Sequence, residues 1–197
     1  MVAHKTTMVR RAQISEAAGK LISKHGSENL TIKGIATEVG ISEAAIYRHF
    51  RSKKDVLMLL ADNVGETLVS DIDDAVFEET KALTALEAAL MKHISSIERR
   101  RGISFQVISE IISLGDRELN ERAYAAINRY VKRLERLLVE ASNQGALNES
   151  VDLGTTARLI SAVIQGLVNT WVLSNYSVNL KDEFIGVWRI LSRDIIR

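Results

Sequence analysis

Apolar residues return along this chain at every third or fourth position, and no segment alternates over a useful length. Ile14, Ala17, Ala18, Leu21 and Ile22 form one stripe of an amphipathic helix. His25-Gly26 closes it, with glycine at the left-handed cap position. Thr31 is placed to N-cap a short helix over 32–39 with Ile32, Ile35, Ala36 and Val39 inward. Gly40 supplies a residue able to take positive φ at a sharp turn. Ser42 caps a second short helix over 43–50, with Ala45, Ile46 and Phe50 inward. Ser52-Lys53-Lys54-Asp55 has the form of a capping box and opens a helix whose stripe, Val56, Leu57, Leu60, Val64 and Leu68, predicts an end near Ser70. Further helices are predicted near 80–99, 103–114, 117–143, 153–174 and 181–196, broken at Gly102, Gly115-Asp116, Asn143-Gln144-Gly145 and 175–179. The fold class is all-α, about nine helices.

Composition sharpens this picture. Average usage would place about ten prolines in a chain of this length, and there are none among its 197 residues. Proline breaks helix interiors and punctuates loops, so its absence favours long helices on short connections. Zero Cys excludes disulfides, thiolate nucleophiles, Cys-ligated zinc and iron–sulfur clusters, and fits a reducing compartment. The longest apolar stretch, near 163–173, is interrupted by Gln165, Gly166, Asn169 and Thr170, so no membrane span is expected. The N-terminus lacks the apolar core of a signal peptide, and a cytoplasmic protein is expected.

The net charge of +1 hides a division. Residues 1–54 carry ten Lys and Arg against four Asp and Glu, a surplus of six. The remainder carries 16 against 21, a deficit of five. A basic first quarter on an acidic remainder points to a polyanion touched by that quarter alone.

Within it, Ala36, Gly40 and Ile46 occupy the three positions that two steeply crossed short helices require. The close approach of the backbones needs a small residue, the turn needs positive φ, and the second helix needs an apolar anchor. This is the helix-turn-helix pattern, over 31–50. Ser42, Glu43, Ala44, Tyr47 and Arg48 are the residues of the second helix not needed inside. Small Ser42 and Ala44 let its N-terminal end enter a major groove about 12 Å wide. Arg48 has the fork that matches guanine O6 and N7, or it pairs with phosphate. Glu43 can accept from cytosine N4 but otherwise repels the backbone. Tyr47 and His49 suit phosphate contacts at the groove's flank, and the ordinary alternatives are a half-buried aromatic and a histidine satisfied by a carbonyl. Lys53, Thr31 and Lys33 can hold phosphate, as can Lys54, for which a solvated surface position is the simpler reading.

The run Thr31-Ile32-Lys33-Gly34-Ile35-Ala36, then Gly40-Ile41-Ser42, then Ile46-Tyr47-Arg48-His49-Phe50-Arg51-Ser52-Lys53 resembles the DNA-binding domain of the TetR/AcrR family of bacterial transcriptional regulators. The resemblance implies two domains, a helix-turn-helix domain over 8–68 and a helical effector-binding and dimerisation domain over 69–197. It implies phosphate contacts from Thr31, Tyr47, His49 and Lys53, and base-facing positions for Ser42, Glu43, Ala44 and Arg48. It implies a homodimer on a double-stranded operator, usually repressing, released by a small-molecule effector whose identity does not carry over. No cofactor and no metal are implied.

The C-terminal two-thirds fits such a partner. Leu159, Ile160, Val163, Ile164, Leu167, Val168, Trp171 and Val172 are too apolar for a helix with one solvated face, and Gly166 permits close helix approach. Ile185, Val187, Trp188, Ile190, Leu191, Ile195 and Ile196 give the last helix a similar face. Pairing of the helices near 153–174 and 181–196 with their copies is favoured over a plain monomer core. Met91, Ile94, Phe105, Ile108, Ile112, Tyr124 and Ile127 are apolar at helical spacing, with Trp171 a further candidate to line a pocket for an apolar or amphipathic effector, although such stripes are more often plain core. His93 has no second ligand at i+4, which argues against a metal. Arg99-Arg100-Arg101 reads as a solvated helix end, and Asp73-Asp74 and Glu78-Glu79 as solvated carboxylates in a polar connection. No phosphate-binding loop, dinucleotide fingerprint, zincin motif or nucleophile elbow is present, so no enzyme is expected. The rival reading is an all-α carrier or enzyme with a vestigial DNA-binding module.

Overall fold

The predicted stripe at the N-terminus closes over a core: Ile14 and Ala18 are fully buried and Ile22 nearly so. The computed structural model describes residues 7–25, 30–76 and 82–197, apart from the side chains of 75–76 and 82–85. Among the described residues nine α-helices run in order, with no strand: α1 (Thr7–His25), α2 (Ile32–Val39), α3 (Glu43–Tyr47), α4 (Lys53–Val76), α5 (Ala82–Arg99), α6 (Ile103–Leu114), α7 (Arg117–Asn143), α8 (Leu153–Leu173) and α9 (Leu180–Ile195). Two compact units result, Met1–Val64 with Gln106–Ala126 and Gly65–Phe105 with Ile127–Arg197.

The first unit is centred on α1 to α3 and the first half of α4. Leu30, Ile35, Ile46, Phe50 and Val56 are at most 2% exposed and make its core. The α3 helix is shorter than predicted and ends at Tyr47, because the His49 and Phe50 amides both bond to the Ile46 carbonyl and turn the chain (2.8 and 3.0 Å). Ser52 caps α4 by accepting from the Asp55 amide at 3.2 Å. The Asp55 carboxylate accepts from the Arg51 amide at 2.7 Å, one residue earlier than the usual box. The α4 helix runs to Val76 rather than Ser70. Asp73-Asp74 therefore lies on a helix and not in a polar connection, and Asp73 pairs with Arg133 on α7. Gly26 and Glu78-Glu79 lie outside the described residues.

In the second unit α9 packs against both α5 and α8. Phe184 and Trp188 stack at 6.3 Å, and the Trp188 indole N–H donates to Glu87 Oε1 at 3.1 Å, which satisfies a buried polar atom. Asp152 and Asn179 cap α8 and α9. The chain end is pinned by a bridge between Leu147 and Ile196 and by the Asn148 amide donating to the Ile195 carbonyl at 3.0 Å.

The expectation of no membrane span turns on α8. By length and composition it is apolar enough to cross a membrane, with mean hydropathy 1.2 over an 18-residue window. A count of uninterrupted apolar residues misses this, because Gln165, Gly166, Asn169 and Thr170 break the run while the many Leu, Ile and Val around them keep the average high. Thr156, Ala157, Ile160, Ile164, Val168 and Trp171 sink one face of α8 into the protein interior, as in a core helix. Leu159 and Leu173 lie on the other side, 44% and 82% exposed. A Cβ added at Gly166 would meet nothing within 4 Å outside its own helix backbone.

Candidate nucleic-acid interface

The turn between α2 and α3 is set by hydrogen bonds that only this local sequence provides. Thr31 Oγ1 accepts from the Gly34 amide at 2.9 Å and opens α2. At the far end Gly40 takes φ 72°. Its amide donates to the Thr37 carbonyl at 3.2 Å and the Ile41 amide donates to Ala36 at 2.9 Å. Those two bonds are a Schellman closure, which requires a left-handed residue at the glycine. A Cβ at Gly40 would meet nothing within 4 Å, so backbone conformation alone selects glycine here. Ser42 then caps α3 by accepting from the Ala45 amide at 3.2 Å. Ile46, fully buried, anchors α3, while Ala36 at 4% exposure stands where α2 needs a small residue.

With Ile46 inward, the other face of α3 is presented to solvent. Ser42, Glu43, Ala44, Tyr47 and Arg48 are all exposed, Tyr47 by 54%. This excludes the half-buried reading of that aromatic. Thr31 and Lys33 are exposed at the start of α2, and His49 and Lys53 are half-buried behind α3. The nine predicted side chains thus stand on α2, α3 and the start of α4, at the caps of α2 and α3, and in the turn after α3. Lys54 departs from the group: its ammonium is held by Asp116 and Glu118, both at 2.9 Å, and these hydrogen bonds raise its pKa. Its charge is already matched within the protein. Arg122 likewise pairs with Asp62, at 2.7–2.8 Å through two nitrogens.

The pattern described as "Bacterial regulatory proteins, tetR family" matches residues 14–58, and that described as "YsiA-like protein, C-terminal region" matches residues 61–193, more than half of the chain. This chain belongs to the tetR family. It is a DNA-binding transcriptional regulator. Among relatives, the nucleoid occlusion factor SlmA of Marinomonas sp. (strain MWYL1) is 24% identical over 187 residues, covering 95% of each chain. The nucleoid occlusion factor SlmA of Vibrio atlanticus (strain LGP32) is 27% identical over 187 residues, covering 94% of this chain and 95% of that one. Among solved structures, the transcriptional regulator FadR from Bacillus subtilis in complex with stearoyl-CoA superposes with a TM-score of 0.80 at 23% identity, covering 91% of this chain and 96% of that one. The fatty acid degradation regulator FadR from Bacillus halodurans gives 0.81 at 23% identity, over 92% and 94%. These likenesses show the same fold.

The candidate effector-pocket residues of this tetR-family chain are placed unevenly. Ile94, Phe105 and Ile108 are buried, Trp171 is 7% exposed, and Met91 and Ile127 are half-buried. Tyr124 is 73% exposed and Ile112 57%, so both face solvent and line no interior space. The helical period alone put them on the apolar stripe, one position out of phase with the buried Ala123, Ala126 and Ile111. Ile108, Ile112 and Tyr124 belong to the first unit and the rest to the second.

Sequence reasoning missed a buried polar network in the second unit. The Asp71 side chain on α4 is 8% exposed and accepts from Ser96 Oγ at 3.0 Å and from Arg100 through two nitrogens. His93, on α5 and fully buried, lies with Nδ1 3.4 Å from Asp71 Oδ2, long for a hydrogen bond and with no closer partner. Its Nε2 is 3.0 Å from the Tyr130 hydroxyl on α7. Burial lowers the pKa of His93 against the pull of Asp71, so the ring is neutral at pH 7. Burial works against the Asp71 carboxylate, but the facing His93 ring and the hydrogen bonds and charge of Arg100 prevail and hold its pKa at about 2. Within the arginine run Arg99 and Arg101 are exposed, as a solvated helix end requires, and Arg100 departs from it. Arg99 donates to Ser96 Oγ at 2.9 Å, Arg100 grips Asp71, and the Arg101 guanidinium lies 4.0 Å over the Tyr176 ring. The signal was legible in outline, since His93 stands in phase with Leu86, Leu90 and Ile97 on the buried stripe.

Proposed function

We propose that this regulator is a homodimeric, sequence-specific repressor whose two α3 helices enter successive major grooves of an operator, and that a small apolar or amphipathic ligand in its helical C-terminal domain, 69–197, releases it. The observation that carries the first half is the unobstructed outer face of α3. In this reading Ser42, Glu43, Ala44 and Arg48 face bases, and Thr31, Lys33, Tyr47, His49 and Lys53 hold phosphates on either side. A two-fold operator needs two copies at a fixed spacing. The outward apolar residues Leu159 and Leu173 on α8 and Ile190 on α9, 44%, 82% and 66% exposed, are unpartnered within one chain and suit a copy of the same helices. Ligand release is a shift of population toward the conformer whose reading helices are wrongly spaced for the duplex. The stearoyl-CoA in the Bacillus subtilis structure makes acyl chains a first class to assay. A cytoplasmic location follows from work on chromosomal DNA.

Selection of duplexes from a random pool by the purified protein, followed by affinity measurement over a salt series, tests the reading. Enrichment of a two-fold sequence, with weaker binding to scrambled DNA, is expected. Equal affinity for selected and scrambled duplexes would refute it.

Whole-length likeness to nucleoid occlusion factors favours a second reading, in which the DNA-bound chain acts in nucleoid occlusion. Chromosome-wide mapping of bound sites separates the two: clustering at promoters favours the repressor, and dispersal outside them favours occlusion.

A further inference from the structure

The α3 helix has five residues, far below the length at which a helix is stable by itself. Its aim is therefore set by what grips its two ends. The front is held by the Gly40 turn and the Ser42 cap. The rear carries Arg48 and His49 and leads into Phe50, and a residue from another helix closes on it. Arg11 of α1 donates from Nη1 to the His49 carbonyl at 3.1 Å, across 38 positions of sequence. The same guanidinium lies 4.6 Å from the centre of the Phe50 ring, which is 2% exposed. One cation thus donates to a carbonyl and also lies over an aromatic ring, a combination an ammonium reproduces poorly. Its neighbour Arg10 instead donates to Gln13, within α1, at 3.2 Å.

We propose that Arg11 is a positioning residue for DNA recognition: it clamps the rear turn of α3 so that Arg48 and His49 are presented at a fixed angle, and itself touches no DNA. This rests on the reading of α3 as the DNA-reading helix.

The test uses the full-length protein and duplexes enriched from a random pool by the unmodified chain. Failure to enrich any sequence removes the DNA reading itself, before an Arg11 variant is made. With an enriched duplex in hand, Arg11→Ala is expected to weaken binding roughly tenfold or more and to narrow the ratio between enriched and scrambled DNA. The slope of log affinity against log salt should stay unchanged. Arg11→Lys, which keeps the charge, should recover less than half of the loss. Amide exchange at Arg48, His49 and Phe50 should quicken in both variants while α1 and α4 keep their protection, and the lysine variant carries this measurement if the alanine variant fails to fold. A salt slope reduced by about one would make Arg11 a phosphate ligand and overturn the proposal. So would unchanged affinity, full rescue by lysine, or exchange quickened uniformly through the unit.

Discussion

Replacing Tyr130 by phenylalanine isolates one hydrogen bond between two buried side chains. Both Tyr130 and His93 are fully buried, and their hydroxyl and Nε2 are 3.0 Å apart. A neutral imidazole has one donor and one acceptor. The carboxylate of Asp71 facing Nδ1 accepts only, so the proton sits on Nδ1 and Nε2 accepts from the tyrosine. Phenylalanine keeps the ring and its packing, and the space vacated by one oxygen is too small and too apolar to admit a water that would replace it. The cost is then that of a buried acceptor left unmet, about 1–3 kcal/mol. Urea unfolding at pH 7.5 and fixed chain concentration reads it as a lower midpoint with unchanged slope. The control is the same substitution in a His93→Leu background, where no acceptor remains and Tyr130→Phe should cost little or relieve an unmatched hydroxyl. A loss below about 0.5 kcal/mol in the parent, or equal losses in both backgrounds, would refute the assigned network.

Three further outcomes are expected. Stability should fall as pH drops below about 6.5, because an unfolded histidine takes up a proton that buried His93 resists. Each such proton gives a slope of at most about 1.4 kcal/mol per pH unit, and His93→Leu should flatten it in pH-dependent urea unfolding. The contribution of Asp71 is complete above its ordinary pKa of 3.8 and is lost progressively as pH falls from there to about 2. Gly40→Ala forces a side chain into φ 72° with nothing sterically in its way, so thermal unfolding should show a loss of about 1–2 kcal/mol, partly recovered by asparagine. Lys53→Ala should weaken binding to all duplexes alike and lower the salt slope by about one, whereas Lys54→Ala, whose ammonium is matched by Asp116 and Glu118, should leave that slope unchanged.

What could be read from the sequence was whatever depends on neighbours a few residues away. Thr31, Gly40 and Ser42 act on amides and carbonyls within five positions, so their residue types alone set the caps and the turn. Burial of Ile46 then follows from the period, and with it the outward face of α3. The last turn of α3 was misplaced because period and apolarity both continue to Phe50, while the chain instead turns at the Ile46 carbonyl to bury that ring.

Charged residues with distant partners were the illegible part, and the reason is physical. Arg11, Lys54 and Arg100 each look like solvated cations in sequence, since nothing local distinguishes a cation in water from one facing a carboxylate or carbonyl 29 to 62 positions away. The consequence for function is concrete. A surplus of positive charge in the first 54 residues overstates what is offered to a polyanion, because Lys54 is neutralised by carboxylates from the acidic remainder and Arg11 is spent on the rear of α3. In the proposed reading, Lys33, Arg48 and Lys53, with their hydroxyl and imidazole neighbours on and beside one short helix, are the groups assigned to phosphate. If so small a set makes the phosphate contacts, the sequence-independent part of DNA affinity is smaller, and the α3 residues proposed to face bases decide more of the outcome.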